Sequence, residues 1–417
     1  MLHAPALHHL SDWRFGLADL PPKTIVLWLT SKNQTRVEYE CYQCLRGRTM
    51  HFSRRHFVQL AATTALLPSR FLKAQTSYVP EILGNSNSAA PAKVALVKGE
   101  NRRKNIFEAL VSIDEQIQPI LKRKKRVVIK PNCVSDTLQL AASHVDALSG
   151  ILDYLEQRFR GPITIAESSA GDSMEAFEHF KYGQLVTERK SQKLSLVDLN
   201  RDGKYEITSV VDKDLHPVPV RLAAALVDPE AFIISSAMLK THNTVVATMT
   251  TKNMVLGAPL HSPERRQAWS DKRKYHYSVR HTHYNMLLTA QKMQPFWGVG
   301  VIDGFEGMEG NGPIGGTPVQ SHIAIASTDL IAADRVGLEA MGIDPDWVGY
   351  LRYCAQFGLG QYDLAKINIV GPSIASVTKK YQLHPDIQKE LQWMAPMQQT
   401  TPSLGMLPFC NPKADLA

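Results

Sequence analysis

The sequence contains few cysteines, no long apolar segment and, beyond its first 75 residues, almost no excess of charge of one sign. Five cysteines in 417 residues are too few for a disulfide scaffold. Residues 1–75 hold 10 Lys and Arg against 4 Asp and Glu, which leaves 37 against 35 for the remainder. This nearly neutral remainder lacks the basic excess that phosphate backbones require, so no nucleic-acid partner is expected. No stable membrane span is expected either.

A pair of arginines marks the first informative segment. Arg54 and Arg55 are followed by a mildly apolar run that ends at Leu67. This pattern is typical of a twin-arginine export signal, which is removed and does not belong to the fold. We therefore expect residues 50–75 to engage the twin-arginine translocase, and the protein to be exported folded to a periplasmic or other extracytoplasmic location. The alternative is that the two arginines open an ordinary amphipathic helix.

The segments around this signal carry less information. Because an export signal lies at the N-terminus, residues 1–49 are expected to be an over-extended gene start. Cys41 and Cys44 in that stretch lack a second Cys or His pair at metal-site spacing. Residues 76–92 are rich in small polar residues and are predicted to be a linker. Residues 372–417 show little periodicity and are predicted to be a tail without chemistry.

Short apolar runs alternate with helical stretches over residues 93–371. This alternation predicts one α/β domain, with a mainly parallel sheet covered by helices on both faces in a Rossmann-like, three-layer arrangement. No repeat at solenoid spacing is present. The predicted strands are 94–97, 127–129, 163–166, 194–199, 231–235, 298–302, 322–326 and 367–370, and the predicted helices lie near 105–121, 144–159, 330–341 and 347–357.

Polar residues follow four of the predicted strands, when the strand that begins at 231 is taken to continue to Met238. Ligands of an open parallel sheet bind beyond the carboxyl ends of its strands, so these residues are expected at one edge. Each residue alone has an ordinary structural explanation, such as a surface lysine, a helix cap or a buried histidine. Together they indicate a ligand site, because buried charges need partners. The residues are Lys130, Asn132, Glu167, Lys240, Thr241, His242 and Asp303.

Two further segments supply groups suited to an anion. Residues 304–316 are rich in glycine, whose amides can form an anion nest, although a purely structural glycine loop is the alternative. The segment matches neither the Walker pattern nor the dinucleotide fingerprint, so no particular nucleotide is implied. Lys252 and Asn253 add an ammonium and an amide near the start of a predicted helix. The residues expected to contact the ligand are Lys130, Asn132, Lys240, Thr241, Lys252, Asn253, Gly310, Asn311 and Gly312.

Residues 259–284 interrupt the alternation of strands and helices. Basic residues, histidines and aromatic residues are interleaved there, which predicts an insertion. A solvated polar loop and a lid that closes on an anionic ligand both fit this composition.

Six blocks of the sequence carry a family resemblance. They are Lys130-Pro131-Asn132, Glu167-Ser168, Leu239-Lys240-Thr241-His242, Thr251-Lys252-Asn253-Met254, Asp303-Gly304 with Gly307-Met308-Glu309-Gly310-Asn311-Gly312-Pro313, and Ser327-Thr328-Asp329 with Ala332-Ala333-Asp334. In this order they resemble the family called domain of unknown function 362, over roughly residues 93–371. The resemblance implies an established family without a general assigned activity. Some relatives look like fusions to ferredoxin-type modules, and the isolated Cys133, Cys354 and Cys410 depart from that pattern.

Residue chemistry suggests roles at the predicted edge. The three lysines of the set would neutralise an anionic small molecule, and the candidate catalytic residues are His242, Glu167 and Asp303. A divalent metal held by Glu167, Asp303 and Glu309 is an open alternative, and no other cofactor is implied. Metal-assisted transformation of a carboxylate or phosphate compound, a non-catalytic ligand-binding module, and a redox protein working with an iron–sulfur partner are the three hypotheses.

Overall fold

A computed structural model describes residues 90–264 and 267–395 of the chain. The predicted export signal, the residues before it, most of the predicted linker and the end of the predicted tail lie outside the described residues.

The strands of the described region form one large sheet and one small hairpin. They are β1 (Ala92–Lys98), β2 (Arg126–Lys130), β3 (Ile163–Glu167), β4 (Leu194–Asp198), β5 (Tyr205–Val211), β6 (Pro217–Ala223), β7 (Ala231–His242), β8 (Val246–Thr248), β9 (Trp297–Glu309), β10 (Thr317–Ser327) and β11 (Ile367–Val370). The large sheet has nine strands in the order β11-β1-β10-β9-β7-β2-β3-β4, with β8 paired to β7. Strands β9, β7, β2, β3 and β4 are mutually parallel. Strands β5 and β6 pair only with each other.

Helices cover both faces of this sheet. They are α1 (Arg102–Val111), α2 (Asp114–Leu121), α3 (Val145–Glu156), α4 (Ser173–His179), α5 (Tyr182–Glu188), α6 (Leu199–Asp202), α7 (Thr250–Val255), α8 (Val279–Met293), α9 (Leu330–Ala340), α10 (Gly349–Gln356), α11 (Ile374–Val377) and α12 (Ile387–Glu390). None of the helices in the described part of the chain combines the length and the apolar character needed to cross a membrane.

The strands are apolar on both faces because each face packs against helices. Val127 and Ile129 of β2 belong to one buried cluster, together with side chains of α1, α2, α3 and α5. Val128 belongs to a second cluster on the opposite face, with side chains of α7, α8, α9 and α10. Successive side chains of a strand point to opposite faces, so a continuous apolar run feeds both cores. The predicted three-layer α/β fold is confirmed.

Three features differ from the sequence-based expectations. The helix predicted near 105–121 is two helices, because the backbone at Ile113 leaves the helical conformation (φ −125°, ψ 21°) between α1 and α2. The β5–β6 hairpin was not predicted. Strand β10 runs antiparallel to both of its neighbours, β1 and β9, because the short loop 310–316 allows only a hairpin between β9 and β10.

The described part of the predicted tail packs against the domain. Tyr381 and Trp393 are buried, at 2% and 8% exposure, and the indole of Trp393 donates a hydrogen bond to the carbonyl of Trp347. Helices α11 and α12 lie in this segment. The segment is therefore an integral part of the fold, although its sequence has little periodicity.

Candidate functional site

The carboxyl ends of the parallel strands meet at one edge of the sheet. Lys130 ends β2 and Glu167 ends β3, and these two strands are neighbours. Lys130 lies beside Ser235 of β7, so β7 continues past the end of β2 and carries Lys240, Thr241 and His242 beyond it. The sequence prediction that strand-end residues share one edge holds for these residues.

Lys130 and Glu167 form a buried ion pair. Their Nζ and Oε1 atoms are 2.7 Å apart, and their side chains are 1% and 2% exposed. Glu167 also accepts hydrogen bonds from the amides of Cys133, at 3.0 Å, and Ser168, at 2.7 Å. Lys130 is the lysine that Glu167 pairs with directly, and the same carboxylate also raises the pKa of Lys240 and Lys272 by longer-range attraction.

Asn253 connects the strand ends to helix α7. Its Oδ1 accepts hydrogen bonds from Lys130 Nζ at 3.1 Å and from Asn132 Nδ2 at 3.2 Å. Its Nδ2 donates to the carbonyl of Lys130 at 3.2 Å and to Ser235 Oγ at 3.1 Å. One buried amide thus fixes the positions of β2, β7 and α7 relative to each other.

Asp334 of α9 holds the amino end of helix α7. Its carboxylate accepts hydrogen bonds from the amides of Thr250 and Thr251, at 2.8 and 2.9 Å, and from the Thr250 hydroxyl. A carboxylate at a helix amino end binds otherwise unsatisfied amides. Burial raises the pKa of Asp334 to about 6 in spite of these donors. Asp334 therefore caps α7, and this cap sets the position of Lys252.

Gly257 leaves room for the ammonium of Lys130. A Cβ atom at this position would lie 2.3 Å from Lys130 Nζ and 2.1 Å from the carbonyl oxygen of Asn253. Both distances are shorter than real carbon contacts, so only glycine fits between α7 and the end of β2 without displacing them.

Three more lysines lie close to this pair. Lys240 Nζ donates hydrogen bonds to Asn132 Oδ1 at 2.5 Å and to the carbonyl of Ala141 at 3.4 Å. Lys272 Nζ donates to the carbonyls of Leu256 and Gly257, at 3.3 and 3.1 Å. Lys252 Nζ makes no hydrogen bond or ion pair with any of the described residues. We call Lys130, Lys240, Lys252 and Lys272 the lysine cluster.

Burial and mutual repulsion weaken the charges of this cluster. The pKa values of Lys240, Lys252 and Lys272 are each lowered to about 7, in each case mainly by burial. Lys240, Lys272 and Lys130 lower the pKa of Lys252 further by repulsion. Lys272 is partly exposed, so solvent screening reduces the effect there. The cluster therefore carries positive charge that Glu167 alone does not offset.

His242 is close enough to the same cluster for the lysines to affect its pKa. Burial, followed by repulsion from Lys252 and Lys240, lowers its pKa well below the ordinary value. Its Nδ1 accepts a hydrogen bond from the amide of Thr244, so the neutral ring carries its proton on Nε2. Asn132, His242 and Lys252 are each 7% exposed, whereas Lys240 is fully buried. A molecule arriving from solvent therefore reaches those three residues before Lys240.

The carboxylates predicted to share a metal have separate partners. Asp303 pairs with Arg102, with Nε and Oδ2 3.2 Å apart, and burial raises the pKa of Asp303. Glu309 accepts a hydrogen bond from the amide of Gln382 at 2.7 Å. Glu167, Asp303 and Glu309 therefore do not form one metal site. Within residues 90–264 and 267–395, the side chains close enough for a metal are Asp212, Asp214 and His216, in the exposed β5–β6 turn.

The glycine-rich segment packs against strand β7 and the C-terminal segment. Residues 304–309 belong to β9, and the amides of Gly310 and Gly312 donate to the carbonyls of Gln382 and Gly310, both at 2.8 Å. A Cβ atom at Gly312 would lie 2.1 Å from the carbonyl oxygen of Thr241. These two amides are engaged within the fold, which favours the structural alternative over an anion nest at Gly310 and Gly312. The glycines instead permit close packing.

The C-terminal segment contributes polar groups next to this hairpin. His384 Nε2 lies 3.0 Å from Asn311 Oδ1, so Asn311 is bound within the protein. Thr241 Oγ1 donates to the carbonyl of Gly310 at 2.9 Å. Glu390 accepts a hydrogen bond from the amide of Val246 at 2.7 Å, and burial raises its pKa to about 7. His384 and Glu390 lie in the predicted tail, so the sequence prediction that it carries no chemistry overlooked these polar contacts.

The insertion predicted over residues 259–284 supplies Lys272 to the cluster. Its described part contains a short helical turn, Asp271–Tyr275, and ends in α8. Asp271 and Tyr275 are buried, so this turn packs against the domain. A cavity of about 310 Å³ beside the insertion is lined by Asn200, Gly203, Tyr205, Arg221, Leu260 and Trp269, and it contains none of the clustered lysines.

The structure divides the predicted site residues into two groups. Lys130, Asn132, Glu167, Lys240 and Asn253 are linked by direct contacts, with Lys252 and His242 beside them. The others contact the β9–β10 hairpin or its neighbours, and they are Thr241, Asp303, Glu309, Gly310, Asn311 and Gly312.

Sequence reasoning missed three contributors. Lys272, Gly257 and Arg102 are not adjacent to a predicted strand end, and only the basic composition around Lys272 pointed toward an anion. Cys133 and Cys354 are buried free thiols, and Cys410 lies outside the described residues.

Comparisons with known proteins place the chain in a family and give no activity. The model of the family described as domain of unknown function (DUF362) matches residues 127–339, about half of the chain. No curated protein matches the sequence. A crystal structure of a Thermotoga maritima protein, determined by structural genomics, is similar with a TM-score of 0.32 and 10% identity. The match covers 63% of this chain and 59% of that one, so the chain spans less than two thirds of that protein.

Proposed function

Since the chain belongs to the DUF362 family, whose description assigns no activity, we propose a function from the site itself: the lysine cluster binds an anionic small molecule. The single observation that carries this proposal is the charge imbalance. Glu167 offsets Lys130, and three further lysines remain beside this pair without a carboxylate of their own. A bound anion supplies the missing countercharge.

The ligand class follows from the donors present. Ammonium groups and the Nε2–H of His242 suit carboxylate or phosphate oxygens. The carboxylates expected to hold a metal are paired with Arg102, Lys130 or a backbone amide. The proposal therefore assigns anion recognition to lysines, with His242 as the group that exchanges a proton with the ligand.

Export belongs to the same proposal. The arginine pair and the apolar run support folding in the cytoplasm and passage through the twin-arginine translocase to an extracytoplasmic site. An anion bound before export would travel with the folded protein.

Calorimetric titration with inorganic phosphate tests the anion site. Binding requires protonated lysines, so we expect affinity to fall as the pH rises through 7, where the lowered lysine pKa values lie. Lys252→Met should weaken binding by roughly tenfold or more, about 1.4 kcal/mol. Lys380→Met, which removes an exposed lysine from the C-terminal segment, is the matched control.

Two results would contradict the proposal. One is the absence of binding across the pH range both for phosphate and for lactate, a carboxylate titrated in the same way. The other is equal affinity in the Lys252→Met variant and the native protein.

A further inference from the structure

Lys252 differs from the other members of the lysine cluster in its contacts. Lys130 is held by Glu167, Lys240 by Asn132 and Lys272 by two backbone carbonyls. The Nζ of Lys252 has no such partner among the described residues, although the residue is only 7% exposed. Its nitrogen is therefore the member of the cluster that is free to form a new bond.

The surroundings of Lys252 favour the neutral amine. The groups that influence it are Lys240 of β7, Lys272 of the insertion and Lys130 of β2, and each lowers the pKa of Lys252 by repelling its ammonium form. A lysine desolvated next to other cations is activated as a nucleophile, because its ammonium form is destabilised. His242 lies in the same environment and keeps a neutral ring near pH 7.

We propose that Lys252 forms an imine with a carbonyl compound that also carries a carboxylate, such as a 2-oxo acid. This inference rests on the proposed anion site and names its substrate class. Lys240 and Lys272, each held in place by neighbouring acceptors, supply positive charge that attracts the carboxylate when they are protonated, while the unpartnered amine of Lys252 meets the adjacent carbonyl carbon. Phosphate has no carbonyl carbon, so it would bind the cluster without forming a covalent bond to the amine of Lys252.

The bond changes balance without an added oxidant or reductant. The Nζ lone pair attacks the carbonyl carbon, and one amine proton moves to the carbonyl oxygen to give a carbinolamine. The carbon–oxygen bond then breaks, and the hydroxyl leaves with the second amine proton as water. The products are a neutral imine and one water molecule. In this proposal the Nε2 of His242, whose Nδ1 is engaged by the amide of Thr244, exchanges these protons.

Reductive trapping tests the imine. The purified protein is incubated with pyruvate and sodium cyanoborohydride at neutral pH, and its mass is then measured and the modified peptide sequenced. We expect a single reduced adduct on Lys252. Lys252→Arg, which keeps the positive charge, should lose the adduct and still bind phosphate, whereas Lys380→Arg, at an exposed position outside the cluster, should keep the adduct. Lactate, which lacks the carbonyl, should give no adduct.

The outcomes separate this inference from the anion site. Phosphate binding without an adduct, or an adduct that survives Lys252→Arg, overturns the imine and leaves anion binding intact. Failure to bind phosphate and lactate overturns the anion site itself. An adduct spread over exposed lysines such as Lys380 also overturns the assignment to Lys252.

Discussion

Buried lysines without carboxylates cost stability unless they lose their protons or gain an anion. Lys130 avoids this cost through Glu167, and the neighbouring amide of Asn253 supports the pair. Lys252 has neither kind of partner among the described residues. Because its pKa is lowered from 10.5 to about 7, Lys252 is neutral in the folded protein and protonated in the unfolded chain at pH values between these two. The same property that makes this side chain unfavourable in the empty fold makes it suited to a ligand.

Lys252→Met should stabilise the empty protein near pH 7. The folded pKa of Lys252 is about 7 against 10.5 for a free lysine, so between these pH values the unfolded chain binds the extra proton. The free energy of unfolding of the native protein therefore rises with pH across this window. Below it, the full cost of burying the Lys252 ammonium is present. We expect the variant to gain on the order of 2 kcal/mol at pH 6 to 7, a gain that vanishes toward pH 10.5. Urea unfolding as a function of pH measures it.

The control for this comparison is Lys380→Met, whose stability difference should not depend on pH in the same window, because the residue is exposed. A Lys252→Met protein less stable than the native one at pH 7 would show that the amine has a partner within the fold.

At the level of elements, the site depends on the short helix α7. Asp334 of α9 fixes its amino end, and Asn253 fixes it against β2 and β7. Gly257, directly after it, lets Lys130 pass close to the backbone. Six residues of helix have little intrinsic stability, so tertiary contacts determine where α7 and Lys252 lie.

Gly257→Ala should disturb both the fold and the site. Its Cβ would overlap Lys130 Nζ and the carbonyl of Asn253, and relief requires movement of α7 or of the ion pair. We expect a loss of roughly 1–3 kcal/mol in unfolding free energy, the usual cost of overpacking. Phosphate affinity should fall as well. Thermal unfolding and calorimetric titration measure the two effects.

A matched glycine is available in helix α5. A Cβ at Gly183 meets nothing within 4 Å, so Gly183→Ala should leave phosphate binding unchanged and raise stability by up to about 1 kcal/mol. If Gly257→Ala and Gly183→Ala had the same stability and the same phosphate affinity, the close contact between Gly257 and Lys130 would not matter for the site.

At the scale of the whole molecule, the α/β domain brings distant segments to one edge. The cluster draws on β2, β7, α7 and the insertion, and the C-terminal segment packs against the adjoining hairpin. An edge assembled from so many segments exists only in the folded chain. Export in the folded state, which the arginine pair predicts, would preserve a ligand loaded in the cytoplasm.

Replacing Arg54 and Arg55 together by lysine should retain the protein in the cytoplasm, because the translocase requires the arginine pair. Fractionation of cells that express the full chain, followed by detection in periplasm and cytoplasm, measures the result. Arg70→Lys, inside the predicted signal but outside the arginine pair, is the control and should leave export unchanged. Equal periplasmic amounts for the Arg54 and Arg55 variant and the native protein would reject the export signal.

The sequence by itself determined the fold class and the main members of the site. Short apolar runs mark the strands in the local sequence, whatever the strands later pack against. Polar residues that directly follow such runs lie at the same edge of a parallel sheet. Lys130, Glu167 and Lys240 were therefore predictable. The family resemblance rested on the same blocks and is confirmed over residues 127–339.

Only the tertiary structure decided which of these groups meet. Asp303 was expected beside Glu167, but it pairs with Arg102 of α1, and Lys272 reaches the cluster from an insertion whose path has no sequence signal. The amides of Gly310 and Gly312 are engaged in backbone hydrogen bonds. These partners come from segments far apart in the chain, and long-range packing, rather than local periodicity, determines their proximity.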